Sequence, residues 1–146
     1  MPTTGPRDAI LIKPPAAVLA LVLGTLAYGA IFCRRLPRGF RHRTCQGAAW
    51  RRAFPEAAKD EIRAFMSIFM DAFAIRRSEQ LKLGPGDRIL DVYRARYPSR
   101  LLPDDLELEI FARDLRRQFG LELESIWREQ ITIGDVFKAI CRPAAS

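Results

Sequence analysis

Residues 55–73 read PEAAKDEIRAFMSIFMDAF, and their spacing decides the fold class. Ile62, Phe65, Phe69, Ala72 and Phe73 return every three or four residues, with Met66, Ile68 and Met70 widening the apolar stripe. That period puts them on one face of an α-helix. Pro55 suits a first helical turn, and Glu56, Asp60 and Glu61 suit the positive end of a helix dipole. Arg76-Arg77 match the opposite end, so the helix is expected to close there.

The same reading extends towards the C-terminus. Leu83-Gly84-Pro85-Gly86-Asp87 is a turn, and Arg88 to Tyr97 suits a short helix stopped by Pro98. Pro103-Asp104-Asp105 opens another helix with Asp104 as N-cap, and Leu108, Phe111, Leu115 and Phe119 form its stripe. Gly120 is placed to end it in a left-handed conformation. Thr132-Ile133-Gly134-Asp135 has the form of a capping box with Asp in place of Glu, opening a last helix with Val136, Phe137 and Ile140. No window alternates as a strand does. The expectation is an all-α fold: a small four-helix bundle over 54–142, with a tail at 143–146.

Upstream, Ala16 to Cys33 read AAVLALVLGTLAYGAIFC, without a charge. With Pro14 and Pro15 the run reaches about 20 residues, enough to cross a ~30 Å hydrocarbon layer as a helix. A cleaved signal peptide is the competing reading, with Ala27-Tyr28-Gly29 as a small-x-small site. The arginines that follow oppose it, because a basic cluster resists translocation. A buried core helix is the other alternative, and all-round apolarity argues against it. The expected organisation is therefore a short tail at 1–13, a transmembrane helix at 14–33 and an Arg-rich juxtamembrane linker at 34–53. Arg34, Arg35, Arg38, Arg41 and Arg43 would lie against anionic headgroups and hold the C-terminal domain on the cytoplasmic side of the cell membrane.

The net charge of +7 divides unevenly. Residues 1–53 hold nine of the 24 Lys/Arg and one acid, Asp8, so the remainder is nearly balanced. A basic run beside an apolar span is not a folded nucleic-acid reader, and no nucleic-acid partner is expected. Cys33, Cys45 and Cys141 are scattered and odd in number, and His42 has no neighbouring ligand type, so no metal site is expected. Catalysis needs a nucleophile, acid or base beside a partner of matched pKa, and no such set is legible. The chain reads as no enzyme.

One stretch resembles a known family. Asp104-Asp105-Leu106, then Leu115, then Phe119-Gly120-Leu121-Glu122-Leu123, then Ile131-Thr132-Ile133-Gly134-Asp135-Val136 are similar to the second half of acyl carrier proteins. In that family the helix opens Asp-Ser-Leu, and the serine carries the phosphopantetheine arm. The spacing from Asp105 to Phe119 matches without a gap. The serine position is held by Asp105, which has no hydroxyl to attack coenzyme A, so phosphopantetheine is not expected as a cofactor. The resemblance implies a carrier-like module without the carrier's chemistry, docking a protein partner through Asp104, Asp105 and Glu107. The expected function is a membrane-tethered, non-catalytic adaptor or regulatory module, with the lipid bilayer and an unidentified protein as partners. The alternative is an acyl carrier modified at an atypical serine; the nearest, Ser99, lies six residues upstream of Asp105.

Overall fold

A computed structural model describes residues 17, 18, 20, 21, 23, 24, 35–97 and 106–142. The chain divides into two units, Met1–Phe32 and Cys33–Ser146. In the second, the named elements are α1 (Arg38–Arg41), α2 (Gly47–Ala53), α3 (Lys59–Ala72), a 3₁₀ helix (Arg77–Lys82), α4 (Ile89–Arg96), α5 (Leu106–Phe119), α6 (Leu123–Ile126) and α7 (Ile133–Cys141). Among the described residues the only β pairing is a single bridge between Arg88 and Thr132. The all-α class holds, with more and shorter helices than a plain four-helix bundle.

The membrane expectation does not hold. Among the described residues no helix is long and apolar enough to cross a membrane. A crossing needs about 20 successive apolar helical residues. The longest named helices, α3 and α5, have 14 each and carry charged residues on an outer face. Of the expected span at 14–33, Ala17, Val18, Ala20, Leu21, Leu23 and Gly24 are helical, and the remainder lies outside the described residues. The single-pass topology and the membrane location drawn from that span are corrected accordingly.

The centre of the second unit is α3. Its stripe is buried as the period requires: Phe65, Met66, Phe69, Met70 and Phe73 are fully enclosed. Phe69 stacks on Phe73 with centroids 4.4 Å apart and meets Phe111 of α5 edge-on at 5.2 Å. Such edge and offset contacts add about 0.5–1.5 kcal/mol per pair beyond burial. The helix begins at Lys59, later than Pro55 suggests, with the Glu61 carboxylate accepting from the Ala58 N–H at 3.0 Å. It ends at Ala72, before Arg76-Arg77, because Ala74 turns left-handed (φ 49°) and the Ile75 N–H bonds to the Met70 carbonyl at 2.7 Å.

Residues 35–53, expected as linker, are built into this core. Leu36, Phe40 and Trp50 are buried with the α3 stripe. The Trp50 indole N–H donates to the Leu83 carbonyl at 2.9 Å, and its ring meets Phe137 of α7 edge-on at 5.8 Å. The arginines obscured this role. A count of charges hides three large apolar side chains spaced along a short, turn-rich stretch.

Two loops set the far end of the unit. The segment before α4 and the segment before α7 run past each other: the Ile133 N–H donates to the Asp87 carbonyl at 2.9 Å, and the Ile89 N–H to the Ile131 carbonyl at 3.2 Å. Gly134 approaches so closely that its N–H reaches the Pro85 carbonyl at 2.9 Å. The capping box forms as the sequence indicates. Thr132 Oγ1 accepts from the Asp135 N–H at 3.0 Å, and the Asp135 carboxylate accepts from the Thr132 N–H at 3.1 Å.

Removing that cap has a calculable effect. Thr132→Ala is expected to cost about 1 kcal/mol, read as a lower urea midpoint at unchanged slope. Burial alone would raise the Asp135 pKa, but the Thr132 bonds and the Arg128 guanidinium at 2.9 Å hold it below its ordinary value of 3.8. A depressed carboxyl stabilises fully above that ordinary value and loses its contribution as pH falls below it. Asp135→Asn should therefore flatten the acid end of a stability-against-pH curve and leave its slope at neutral pH unchanged.

Candidate functional site

The acidic start of α5 is the face that the sequence marks for docking. Asp104 and Asp105, the second at the family's serine position, lie outside the described residues. Glu107 follows Leu106 at the start of the described helix, and its carboxylate accepts from the Tyr97 hydroxyl. Partial burial, then the bond to Glu107, raises the Tyr97 pKa, while the neighbouring Arg96 opposes the rise. The phenol therefore stays a donor at neutral pH. Leu106 is 50% exposed, and Glu109, one turn on, is exposed as well. Leu108, Phe111 and Leu115 point the other way, with Phe111 and Leu115 fully buried. The helix thus offers solvent one leucine and the Glu109 carboxylate, with the half-buried Glu107 held beside the Tyr97 ring.

The basic cluster divides into arginines used by the fold and arginines left on its surface. Arg41 donates to the Leu36 carbonyl at 3.0 and 3.2 Å, which closes the turn into α1. Arg43 pairs with Asp87 at 2.6 Å and lies over the Phe40 ring at 4.4 Å. Arg43 therefore ties the segment after α1 to the loop before α4, while the Arg41 guanidinium acts within its own turn. Arg35 and Arg38 are exposed, and Arg34 lies outside the described residues.

A second feature had no sequence signal. A groove of about 1030 Å³ opens between the Phe54–Ala57 link, the Pro85-Gly86 turn and α7. Phe54, Phe119, Phe137 and Ile140 supply its apolar floor, with Glu61 and Lys138 among its charged residues. Cys141 also lines it; burial and then the Glu61 charge push its thiol pKa up, which keeps it protonated and a poor nucleophile at neutral pH. Spacing along the chain does not show such a groove, because four separate segments meet to make it.

The serines bear on the alternative of an atypically modified carrier. Ser67 donates to the Ala64 carbonyl at 2.8 Å and Ser125 to the Glu122 carbonyl at 2.7 Å, each within its own turn. Ser99 lies outside the described residues. Among the described residues no group of three His, Cys, Asp or Glu is gathered as metal ligands are.

Comparison with protein-family models, with curated proteins and with solved structures returns no match for the chain. The reading of its function rests on the residues themselves.

Proposed function

We propose that the second unit is a non-catalytic, carrier-like helical module that docks a protein partner through the acidic start of α5. The observation that carries the reading is the strip at that start made by exposed Leu106 and Glu109 with the half-buried Glu107 between them. A surface leucine flanked by carboxylates suits a basic partner surface with one apolar notch. The charges would steer the encounter, and the leucine would add buried area. The resemblance to acyl carriers points to the same helix, since carriers present their acidic residues there. Asp104 and Asp105 extend the acidic run by two residues in sequence.

The test compares the full chain with Glu107→Arg and Glu109→Arg by crosslinking capture, with thermal melts to verify folding. Wild-type partners are expected to fall by roughly tenfold in the reversed variants, the scale of losing complementary charge at a small interface. Equal recovery from folded variants would refute the docking face. Incubation with coenzyme A and a phosphopantetheinyl transferase should leave the intact mass unchanged. A gain equal to the phosphopantetheine arm would instead establish a working carrier.

A further inference from the structure

A second, smaller cleft lies on a different face, between α2 and the start of α3. Its volume is about 250 Å³, and Arg51, Lys59 and Arg63 all line it. Trp50, Ile62 and Leu81 form its apolar wall. Three exposed cationic residues from two helices therefore line one small concavity. Repulsion among like charges lining one small concavity is unfavourable unless something offsets it.

The available acids offset little. Arg63 pairs with Asp60 at a loose 3.7 Å, and the Asp60 side chain is 94% exposed. Asp60 and Glu61 balance the positive end of α3, so the cleft's charge comes from side chains rather than from the helix dipole. No acidic residue occurs between Arg35 and Pro55, so α2 brings no carboxylate of its own. Among the described residues neither Arg51 nor Lys59 enters an ion pair.

The walls are fixed by the fold. Trp50 is anchored by its indole bond to Leu83, and the Gln46 N–H donates to the Leu81 carbonyl at 2.6 Å. These bonds tie the start of α2 to Leu81 of the 3₁₀ segment and to Leu83 just after it. Lys59 and Arg63 are one helical turn apart on the same face of α3. The cleft is thus held open by main-chain and indole bonds rather than by the cations themselves.

We propose that this cleft binds the phosphate group of a small phosphorylated molecule. Arg51 and Arg63 would donate paired N–H bonds to phosphate oxygens, and Lys59 would add a point charge. Its volume falls at or below the ~300 Å³ lower end of small-molecule pockets, which suits a compact ligand and not a polymer backbone. The half-buried Leu81 would face the ligand's apolar part, with the buried Trp50 and Ile62 backing the wall. This assignment is independent of the docking face on α5.

Inorganic pyrophosphate is the probe, titrated into the full chain and followed by ³¹P NMR at fixed ionic strength. Saturable binding is expected, weakened roughly tenfold by Arg51→Gln and again by Lys59→Gln, as for losing one charge-assisted contact each. Both residues are exposed, so the variants should melt with wild type. Arg116→Gln with Arg117→Gln on α5 removes two charges elsewhere and should leave pyrophosphate affinity unchanged. An equal loss in that control, or binding that never saturates, would overturn the site. So would a short single-stranded oligonucleotide that binds through Arg51 and Lys59 and is not displaced by pyrophosphate.

Discussion

Trp50→Ala is expected to lower the stability of the folded unit by about 3–5 kcal/mol, the range for truncating a large aromatic in a packed core. The ring is 1% exposed and touches Phe54, Phe65 and Phe137, so its removal opens a cavity among aromatics unable to close it. The indole bond to Leu83 is lost as well, which leaves a buried carbonyl without that partner. Trp50→Phe separates the two terms. It retains most of the volume and should cost only about 1–3 kcal/mol, the penalty for one unmet buried polar group. Urea unfolding followed by circular dichroism measures both. A Trp50→Ala protein within 1 kcal/mol of wild type would show that 35–53 does not belong to the core.

Gly134→Ala is expected to be nearly as damaging, although it adds only one methyl group. A Cβ at residue 134 would sit 2.6 Å from the Pro85 carbonyl oxygen and 2.9 Å from the Pro85 Cβ. Real contacts do not come that close, and the obstacle is backbone, so the two loops must separate. Separation strains the Gly134 N–H bond to Pro85 and the bonds joining Ile133 to Asp87 and Ile89 to Ile131. Overpacking of this kind costs about 1–3 kcal/mol, with each broken bond adding about 1. Amide hydrogen exchange is the sharper readout. Protection should fall first at Ile89, Ile133 and Gly134, while α3 and α5 keep theirs. By contrast, Gly86→Ala should be nearly silent, since nothing lies within 4 Å of a Cβ there. Its melting point separates a steric effect from a general dislike of change in the loop.

Much of the helical pattern was visible along the chain. The α3 stripe, the Thr132–Asp135 cap and the left-handed Gly120 (φ 67°) follow from local rules, because each involves residues within one or two turns. Helix ends were less legible. Pro55 reads as a first helical residue, yet α3 begins at Lys59, because the Phe54–Ala57 link is folded over the core instead. Glu107 could be named from its place in an acidic helix start, and its bond with Tyr97 could not. The two residues lie ten apart, with Pro98 and Pro103 in the sequence between them.

Composition misled where it was read without packing. An apolar run followed by arginines suggested a membrane anchor and a basic linker. Among the described residues no helix meets the length and apolarity that crossing requires, and the following stretch contributes Leu36, Phe40 and Trp50 to the core. Arginine beside a membrane and arginine closing a turn look alike in sequence. Only their acceptors distinguish them, here the Leu36 carbonyl and the Asp87 carboxylate.

The sequence by itself determined that the chain is helical, where its main apolar faces lie and that residue 105 lacks a hydroxyl, because periodicity and side-chain chemistry are local properties. Tertiary structure alone decided that 35–53 joins the core, that Gly134 must remain glycine and that Arg51, Lys59 and Arg63 share one cleft. Those facts depend on which distant segments come within a few ångströms of each other. That is fixed by the packing of the whole aromatic core and not by spacing along any one helix.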